Sequence, residues 1–365
     1  MKLLIQHTHR ENEIAGVLTY INEIDPELNA QGVETQIIST KTTSIKKWIQ
    51  AIADSDLVHM NSNHLGFALL CKLLGKQIIL KYHYLFYTST HFNYEKMSFS
   101  ERLRTEFIQT LPKRNYPLKW KFFTVIKWAR FGVRFATALL ADRHTTCSNF
   151  LTESLSFPWK VSTLYNPISI QEFTKKELNQ PYQFTYVGRL AHDKGVDFLL
   201  RAAKRLTEWN YEFQILIIGD GELTNSLKAL AIKLEIVDRV QFLGHRSSNE
   251  ILETVASSLA LVVPSRWQEP AGYVTLEASS VQTCSIVANV GGLPEMAGFQ
   301  NLFFERENVQ ELAARMKACL DNPMDAIDRG KQAYHYIKEQ FSSTKITAQL
   351  LDICQEFQGS SHTLK

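Results

Sequence analysis

The chain has 365 residues, 45% of them apolar, with 40 basic and 37 acidic side chains. That length exceeds one ordinary core and suits two α/β domains of about 150–200 residues each, while the composition excludes a largely disordered chain. No stretch approaches the roughly 18 consecutive apolar residues of a membrane span. The net charge of +3 hides an asymmetry: residues 1–167 hold 20 basic against 13 acidic side chains, residues 168–365 hold 20 against 24. The two halves therefore suit different partners. Five scattered cysteines (Cys71, Cys147, Cys284, Cys319, Cys354), with no CxxC, predict neither a disulfide framework nor a zinc site. A reducing, cytoplasmic compartment is the simplest expectation.

Met1-Lys2-Leu3-Leu4-Ile5, followed at once by Gln6 and His7, reads as a first strand and lacks the apolar core of a signal peptide. Further strands are expected at residues 33–39, 57–60, 77–82, 144–147 and 161–164. Residues 115–140 are basic and aromatic. At 100° per residue Lys119, Lys127, Arg130 and Arg134 fall on one side, and Val125, Trp128, Phe135 and Leu139 on the other. Such a helix either lies on an anionic membrane surface or packs its aromatic face on its own domain. Residues 167–182, with Pro167, Pro181 and many charges between them, read as a linker.

The second half alternates more cleanly. Strands at 184–188, 214–218, 240–243 and 259–263 are separated by helical patterns from Val196 to Leu206, at 223–234 and at 250–257. Runs such as Ile215-Leu216-Ile217-Ile218 are apolar on both faces, as expected of parallel strands covered on each side. Two last helices, 325–339 and 343–357, add no strand.

Three strings carry chemistry. Val187-Gly188-Arg189-Leu190-Ala191-His192-Asp193-Lys194-Gly195 is a strand end, a loop and a helix start. Gly195 opens the helix whose free N–H groups attract an anion, and Arg189 and Lys194 add a planar fork and a mobile point charge that suit a diphosphate. In Pro264-Ser265-Arg266-Trp267-Gln268-Glu269-Pro270-Ala271-Gly272-Tyr273-Val274-Thr275-Leu276-Glu277, Glu269 sits on the loop at a strand's carboxyl end, where open parallel sheets bind ligands. Glu277 falls about one turn into the next helix, angled back toward the same crevice. Two carboxylates at this spacing can accept hydrogen bonds from the hydroxyls of two different sugar rings. The third string, Ala288-Asn289-Val290-Gly291-Gly292-Leu293-Pro294-Glu295, holds a glycine pair where backbone must approach something closely.

Together these strings resemble the C-terminal domain of the retaining glycosyltransferases of family 4, closely over residues 184–300 and loosely over the whole chain. The resemblance implies the GT-B architecture: two Rossmann-like α/β domains facing each other across a cleft. Residues 1–166 would form an acceptor-binding domain, 183–340 a nucleotide-sugar-binding domain, and 341–365 a helix packing back on the first, with a hinge near Asn166. It implies that Arg189 and Lys194 neutralise the donor diphosphate, that Glu269 holds the transferred sugar, and that Glu277 holds the nucleotide ribose. Main-chain N–H groups around Gly272 and Tyr273 would meet phosphate or sugar. Gly16 would let the first loop approach the donor, and His83, at the end of a strand, would touch the transferred sugar. His59, His64, Ser148 and Asn166 also end strands.

The activity so implied is metal-independent retaining transfer from a nucleotide-sugar, with no cofactor and no nucleic acid, to a glycan or lipid-linked acceptor, and the basic helix adds peripheral contact with an anionic membrane as one reading. A nucleotide-sugar epimerase of the same architecture and a non-catalytic nucleotide-sugar-binding protein remain open alternatives. Two departures stand out: Val281-Gln282-Thr283-Cys284 where the family carries a small residue, Gly and Pro, and Ala15-Gly16 in place of a glycine pair.

Overall fold

The computed structural model describes residues 1–10, 13, 16–87, 97–111, 118–170 and 178–360. Its first half contains β1 (Lys2–His7), α1 (Gly16–Ala30), β2 (Glu34–Ser39), α2 (Ile45–Asp54), β3 (Leu57–Met60), α3 (Leu65–Leu73), β4 (Ile78–Tyr82), α4 (Phe99–Thr110), α5 (Leu118–Leu140), β5 (Arg143–Thr146), α6 (Asn149–Leu155) and β6 (Val161–Thr163). Then follow β7 (Gln183–Val187), α7 (Val196–Glu208), β8 (Gln214–Ile218), α8 (Thr224–Lys233), β9 (Val240–Gly244), α9 (Ser248–Ala256), β10 (Ala260–Val263), α10 (Tyr273–Ser280) and β11 (Cys284–Ala288). The chain ends with α11 (Leu293–Ala297), β12 (Leu302–Phe304), α12 (Val309–Asp321), α13 (Pro323–Gln340) and α14 (Ser343–Ser360). It divides into two units, Met1–Pro167 with Ser343–Lys365, and Ile168–Ser342.

The first unit is a parallel sheet in the order β2-β1-β3-β4-β5-β6. Its strand order reverses at β1, which pairs with β2 on one side and β3 on the other. Leu3 and Ile5 of β1 pack with Ile21, Ile24 and Leu28 of α1 and with Ile346, Leu350 and Cys354 of α14. Ser343 Oγ donates to the Glu23 carboxylate at 3.0 Å. The terminal helix thus completes the helical layer of the first sheet.

Helix α5 corrects the expected division into basic and aromatic faces. Among its described side chains Phe131 and Ala138 are the most buried apolar ones, whereas Val125 is 64% and Leu139 60% exposed. Phe131 meets Phe86 and Tyr87, and Phe135 stacks on Phe99. Arg134, expected among the outward bases, is turned inward: its Nη1 donates to the Phe86 carbonyl at 3.1 Å and its guanidinium lies over Tyr84. The buried stripe straddles the boundary between the two expected faces, so an inward arginine replaces two inward aliphatics. Lys127 and Arg130 are exposed; the side chain of Lys119, like residue Ala15, lies outside the described residues.

The second unit is a parallel sheet in the order β12-β11-β10-β7-β8-β9. Here the reversal falls between β7 and β10, paired through Phe184–Ala260 and Thr185–Leu261. Val196, Leu199, Leu200, Ala203 and Leu206 form the buried face of α7. Strand β12 and helix α12 were not expected from the sequence; three residues of β12 are too few to show a period. Gln282, just beyond α10, stands at φ 56, a left-handed conformation that glycine adopts more readily.

Candidate functional site

In an open parallel sheet the loops after two strands flanking the reversal diverge to opposite faces and leave a crevice at their carboxyl ends. In the second unit those loops are the two charged strings, after β7 and after β10. They are joined by their own main chain: Arg266 N and Trp267 N both donate to the Asp193 carbonyl, at 2.9 and 3.2 Å. Gly195 is the left-handed N-cap of α7 at φ 66, and a Cβ there would collide with the Pro264 carbonyl oxygen. Only glycine lets the two strings approach this closely. Gly195 thus opens α7 as its N-cap, and the first helical residue is Val196.

The approach sets Lys194 Nζ 2.5 Å from Glu269 Oε1, with side-chain exposures of 25% and 15%. Ser265 Oγ donates to the same carboxylate oxygen at 2.9 Å. Arg189 is far more open, 65% exposed, and pairs with Asp193 at 3.0 Å. Beneath the pair, Arg266 holds Asp197 of α7 through two 2.9 Å bonds, donates to the His192 carbonyl at 3.0 Å, and stacks on Phe198. This planar fork fastens the β10 loop to the first turn of α7. Ser265 and Arg266 were not picked out from the sequence; the partners of Arg266, His192 and Asp197, lie about 70 residues away.

The glycine pair supports the same carboxylate from behind. Gly291, at φ 60, lies so close that a Cβ would collide with the main-chain N and O of Glu269. Gly292 N donates to the Glu269 carbonyl at 2.7 Å. What the backbone of Gly291-Gly292 approaches is thus the Glu269 peptide. Gly272 is the N-cap of α10 and Tyr273 its first helical residue. Glu277 is half-buried one turn on, and among the described residues nothing donates to its carboxylate. Burial holds its carboxyl above the usual glutamate value.

In the first unit His83 follows β4, and its Nε2 lies 3.0 Å from Asn61 Oδ1. Burial, then the neighbouring Lys81, push its pKa well below the ordinary histidine value. Lys81 itself is fully buried, donating to the carbonyls of Leu164 and Tyr165 at 2.6 and 3.0 Å and lying 3.6 Å from the Tyr20 ring centre. Tyr20 OH meets His59 Nε2 at 3.0 Å. Of the other strand-end residues, His64 and Ser148 cap α3 and α6. Asn166 is buried, and Gly16 is the exposed first residue of α1. Lys81 was legible as a lysine inside an apolar strand, but not as a clamp on the chain just beyond β6.

Residues 169–338 match the family described as Glycosyl transferases group 1. The glycogen synthase of Mycobacterium tuberculosis is 32% identical over 163 residues, covering 44% of this chain and 39% of that protein. The phosphatidylinositol N-acetylglucosaminyltransferase gpi3 subunit of Schizosaccharomyces pombe is 23% identical over 219 residues, 59% of this chain and 48% of the subunit. The chain thus spans less than half the length of these relatives. Among solved structures, HepE of Anabaena in complex with UDP-glucose aligns with a TM-score of 0.71 at 16% identity, covering 98% of this chain and 100% of that one. At that identity the likeness establishes the fold, two parallel six-stranded α/β units of the GT-B architecture.

Proposed function

We propose, from the premise that residues 169–338 of this chain belong to the glycosyl transferases group 1 family, that the protein is a retaining glycosyltransferase using a nucleotide-sugar donor. The observation that carries this reading is the Lys194–Glu269 pair, a cation and a carboxylate from two strings brought together at the reversal of the second sheet. Before donor arrives each charge satisfies the other. A donor diphosphate competes for Lys194 and Arg189, and the freed Glu269 carboxylate accepts hydrogen bonds from hydroxyls of the transferred sugar. Glu277, already without a donor among the described residues, takes the ribose hydroxyls, and the N–H groups at Gly272 and Tyr273 approach the phosphate.

In the reaction the bond from the anomeric carbon to the leaving phosphate oxygen breaks, and its electron pair departs with the diphosphate. The acceptor oxygen adds to the same face, and its proton passes to the leaving phosphate. Arg189, Lys194 and the first turn of α7 stabilise the charge that grows there. These two cations supply that charge without a metal, so chelation should leave the rate unchanged. No cofactor takes part.

The acceptor is a glycan or a lipid-linked glycan. Exposed Val125 and Leu139 on one side of α5, with exposed Lys127 and Arg130 on the other, suit the surface of an anionic bilayer, and the phosphatidylinositol-modifying relative agrees with such an acceptor. A thermal-shift panel of nucleoside diphosphates and nucleotide-sugars tests the donor site, since a ligand stabilises by RT ln(1 + [L]/Kd). The reading fails if no nucleotide-sugar stabilises the protein. Turnover of a donor with no acceptor present would instead identify an epimerase.

A further inference from the structure

At the amino ends of β5 and β6 lies an open cavity of about 210 Å³, with Leu139, Asp142, Arg143, His144, Trp159 and Lys160 among its walls. That is below the roughly 300 Å³ at which pockets take drug-sized ligands, and it leaves room for one sugar ring. Open parallel sheets bind their substrates at the carboxyl ends, so this cavity lies apart from the positions used in the transferase reading. All its walls belong to the first unit.

These walls are held from outside the cavity. The rings of Phe157 and Phe135 lie 4.7 and 6.2 Å from the half-buried Trp159 ring, centre to centre, and His144 lies 5.1 Å from it. Asp142 Oδ2 accepts from Lys72 Nζ at 2.5 Å and from Ile78 N at 2.7 Å. Arg143 Nε and Nη2 donate to Glu356 Oε2 at 2.9 and 2.5 Å. Among the described residues Asp142 Oδ1 and Arg143 Nη1 are left without a hydrogen bond, and exposed Lys160 makes none. His144 is 5% exposed; its Nδ1 meets Tyr82 OH at 3.0 Å, and no described residue bonds Nε2. Burial brings its pKa down to about 4, so near neutrality the ring is uncharged and Nε2 can donate or accept.

A sugar ring carries C–H groups on its faces and hydroxyls around its edge, and each hydroxyl both donates and accepts. The cavity offers the matching set. The indole and Leu139 are its apolar walls, a carboxylate oxygen accepts, guanidinium and ammonium N–H groups donate, and the imidazole does either. A phosphate fits less well, because the Asp142 carboxylate repels it and Glu356 offsets Arg143.

We propose that this cavity is a second carbohydrate site, which takes one ring of a neutral glycan against Trp159 and its hydroxyls on Asp142, Arg143, His144 and Lys160. The proposal goes beyond the transferase reading and needs no nucleotide-sugar. It gives the first unit a hold on a glycan that is independent of the donor.

The indole N–H signal of Trp159, assigned by its loss in Trp159→Phe, reports on the cavity in proton–nitrogen correlation spectra. The titrants are glucose, galactose, mannose, N-acetylglucosamine and short oligomers of each. At least one should move the signal saturably in the millimolar range, equally with and without UDP. Arg143→Gln with Lys160→Gln should weaken that binding by about tenfold or more, as expected for lost hydrogen bonds to charged donors. Trp159→Ala should abolish it in calorimetry; should that variant fold poorly, the double variant, altered only at side chains open to solvent, decides. The proposal is overturned if no sugar moves the signal, or if the double variant binds as the parent does. It is also overturned if UDP abolishes the response, or if inorganic phosphate moves the signal and the sugars do not. If no nucleotide-sugar stabilises the protein, the transferase reading fails by itself, while these titrations still decide the cavity's role.

Discussion

The two sheets are both parallel with one reversal of strand order, and their carboxyl rims differ in chemistry. In the second unit the rim carries charged side chains within reach of solvent: Lys194 and Glu269 are partly open, and Arg189 is mostly so. In the first unit it carries nitrogens whose positive form burial disfavours, with His59 pulled down to about 3 and His83 and Lys81 also lowered. A diphosphate needs permanent, reachable cations, and a hydroxyl-rich ligand needs oriented neutral donors and acceptors. The comparison teaches that one doubly wound sheet serves either need through how deeply its strand-end side chains sink.

Breaking the charged rim should have the largest effect. Lys194→Ala and Arg189→Ala should each lower kcat on the order of 10²–10³-fold in steady-state assays with a nucleotide-sugar donor. The two variants should part company in thermal unfolding. Lys194→Ala leaves the shielded Glu269 carboxylate with Ser265 alone and should cost about 1–3 kcal/mol, whereas Arg189→Ala should cost almost nothing. Near-normal turnover in both variants would show that the phosphate lies elsewhere.

Next comes the support behind Glu269. Gly291→Ala places a methyl group against the Glu269 peptide and imposes a left-handed alanine, together costing about 1–3 kcal/mol. Its diagnostic is displacement of the Glu269 carboxylate, read as weaker binding of a nucleotide-sugar with little change for the bare diphosphate. An equal loss for both ligands would place the glycine pair's role outside the sugar subsite.

These supports mark where the sequence stops being readable. The Arg189, Lys194, Glu269 and Glu277 strings were recognisable because each is continuous and its strand end places it. The Arg266–Asp197 brace leaves no trace in local patterns, and the glycine pair signalled a close approach without naming Glu269 as its partner. The first rim was harder still. Asn61–His83, Tyr20–His59 and Lys81–Tyr165 are single side-chain contacts with no motif around them. The faces of α5 were misjudged because composition around a helix does not reveal which neighbours cover it.

Glu277 offers a pH test. Its folded carboxyl binds a proton more readily than in the unfolded chain, so its contribution to stability declines as pH rises through that raised pKa. Glu277→Gln removes this dependence, and the unliganded variant should melt no lower than the parent near neutrality. The parent's nucleotide affinity should fall as pH drops through the same range, because a protonated carboxyl loses acceptor capacity, and the variant's should not. A pH-independent parent affinity would argue against ribose binding at Glu277.

A smaller effect is expected at α5. Lys127→Gln with Arg130→Gln should weaken flotation with anionic vesicles by roughly 1 kcal/mol per residue, and salt should do the same. Arg134 is left intact in this test because it braces the Phe86 carbonyl. Equal non-binding of the folded protein to anionic and neutral vesicles would remove the membrane from the account.

The division of labour between the two glutamates is tested most directly by calorimetric titration of UDP and UDP-glucose, the ligands seen with HepE, into Glu269→Gln and Glu277→Gln. Glu277→Gln should weaken both ligands by about tenfold or more. Glu269→Gln should leave UDP binding intact and weaken only UDP-glucose. Equal losses for both ligands in both variants would contradict that division.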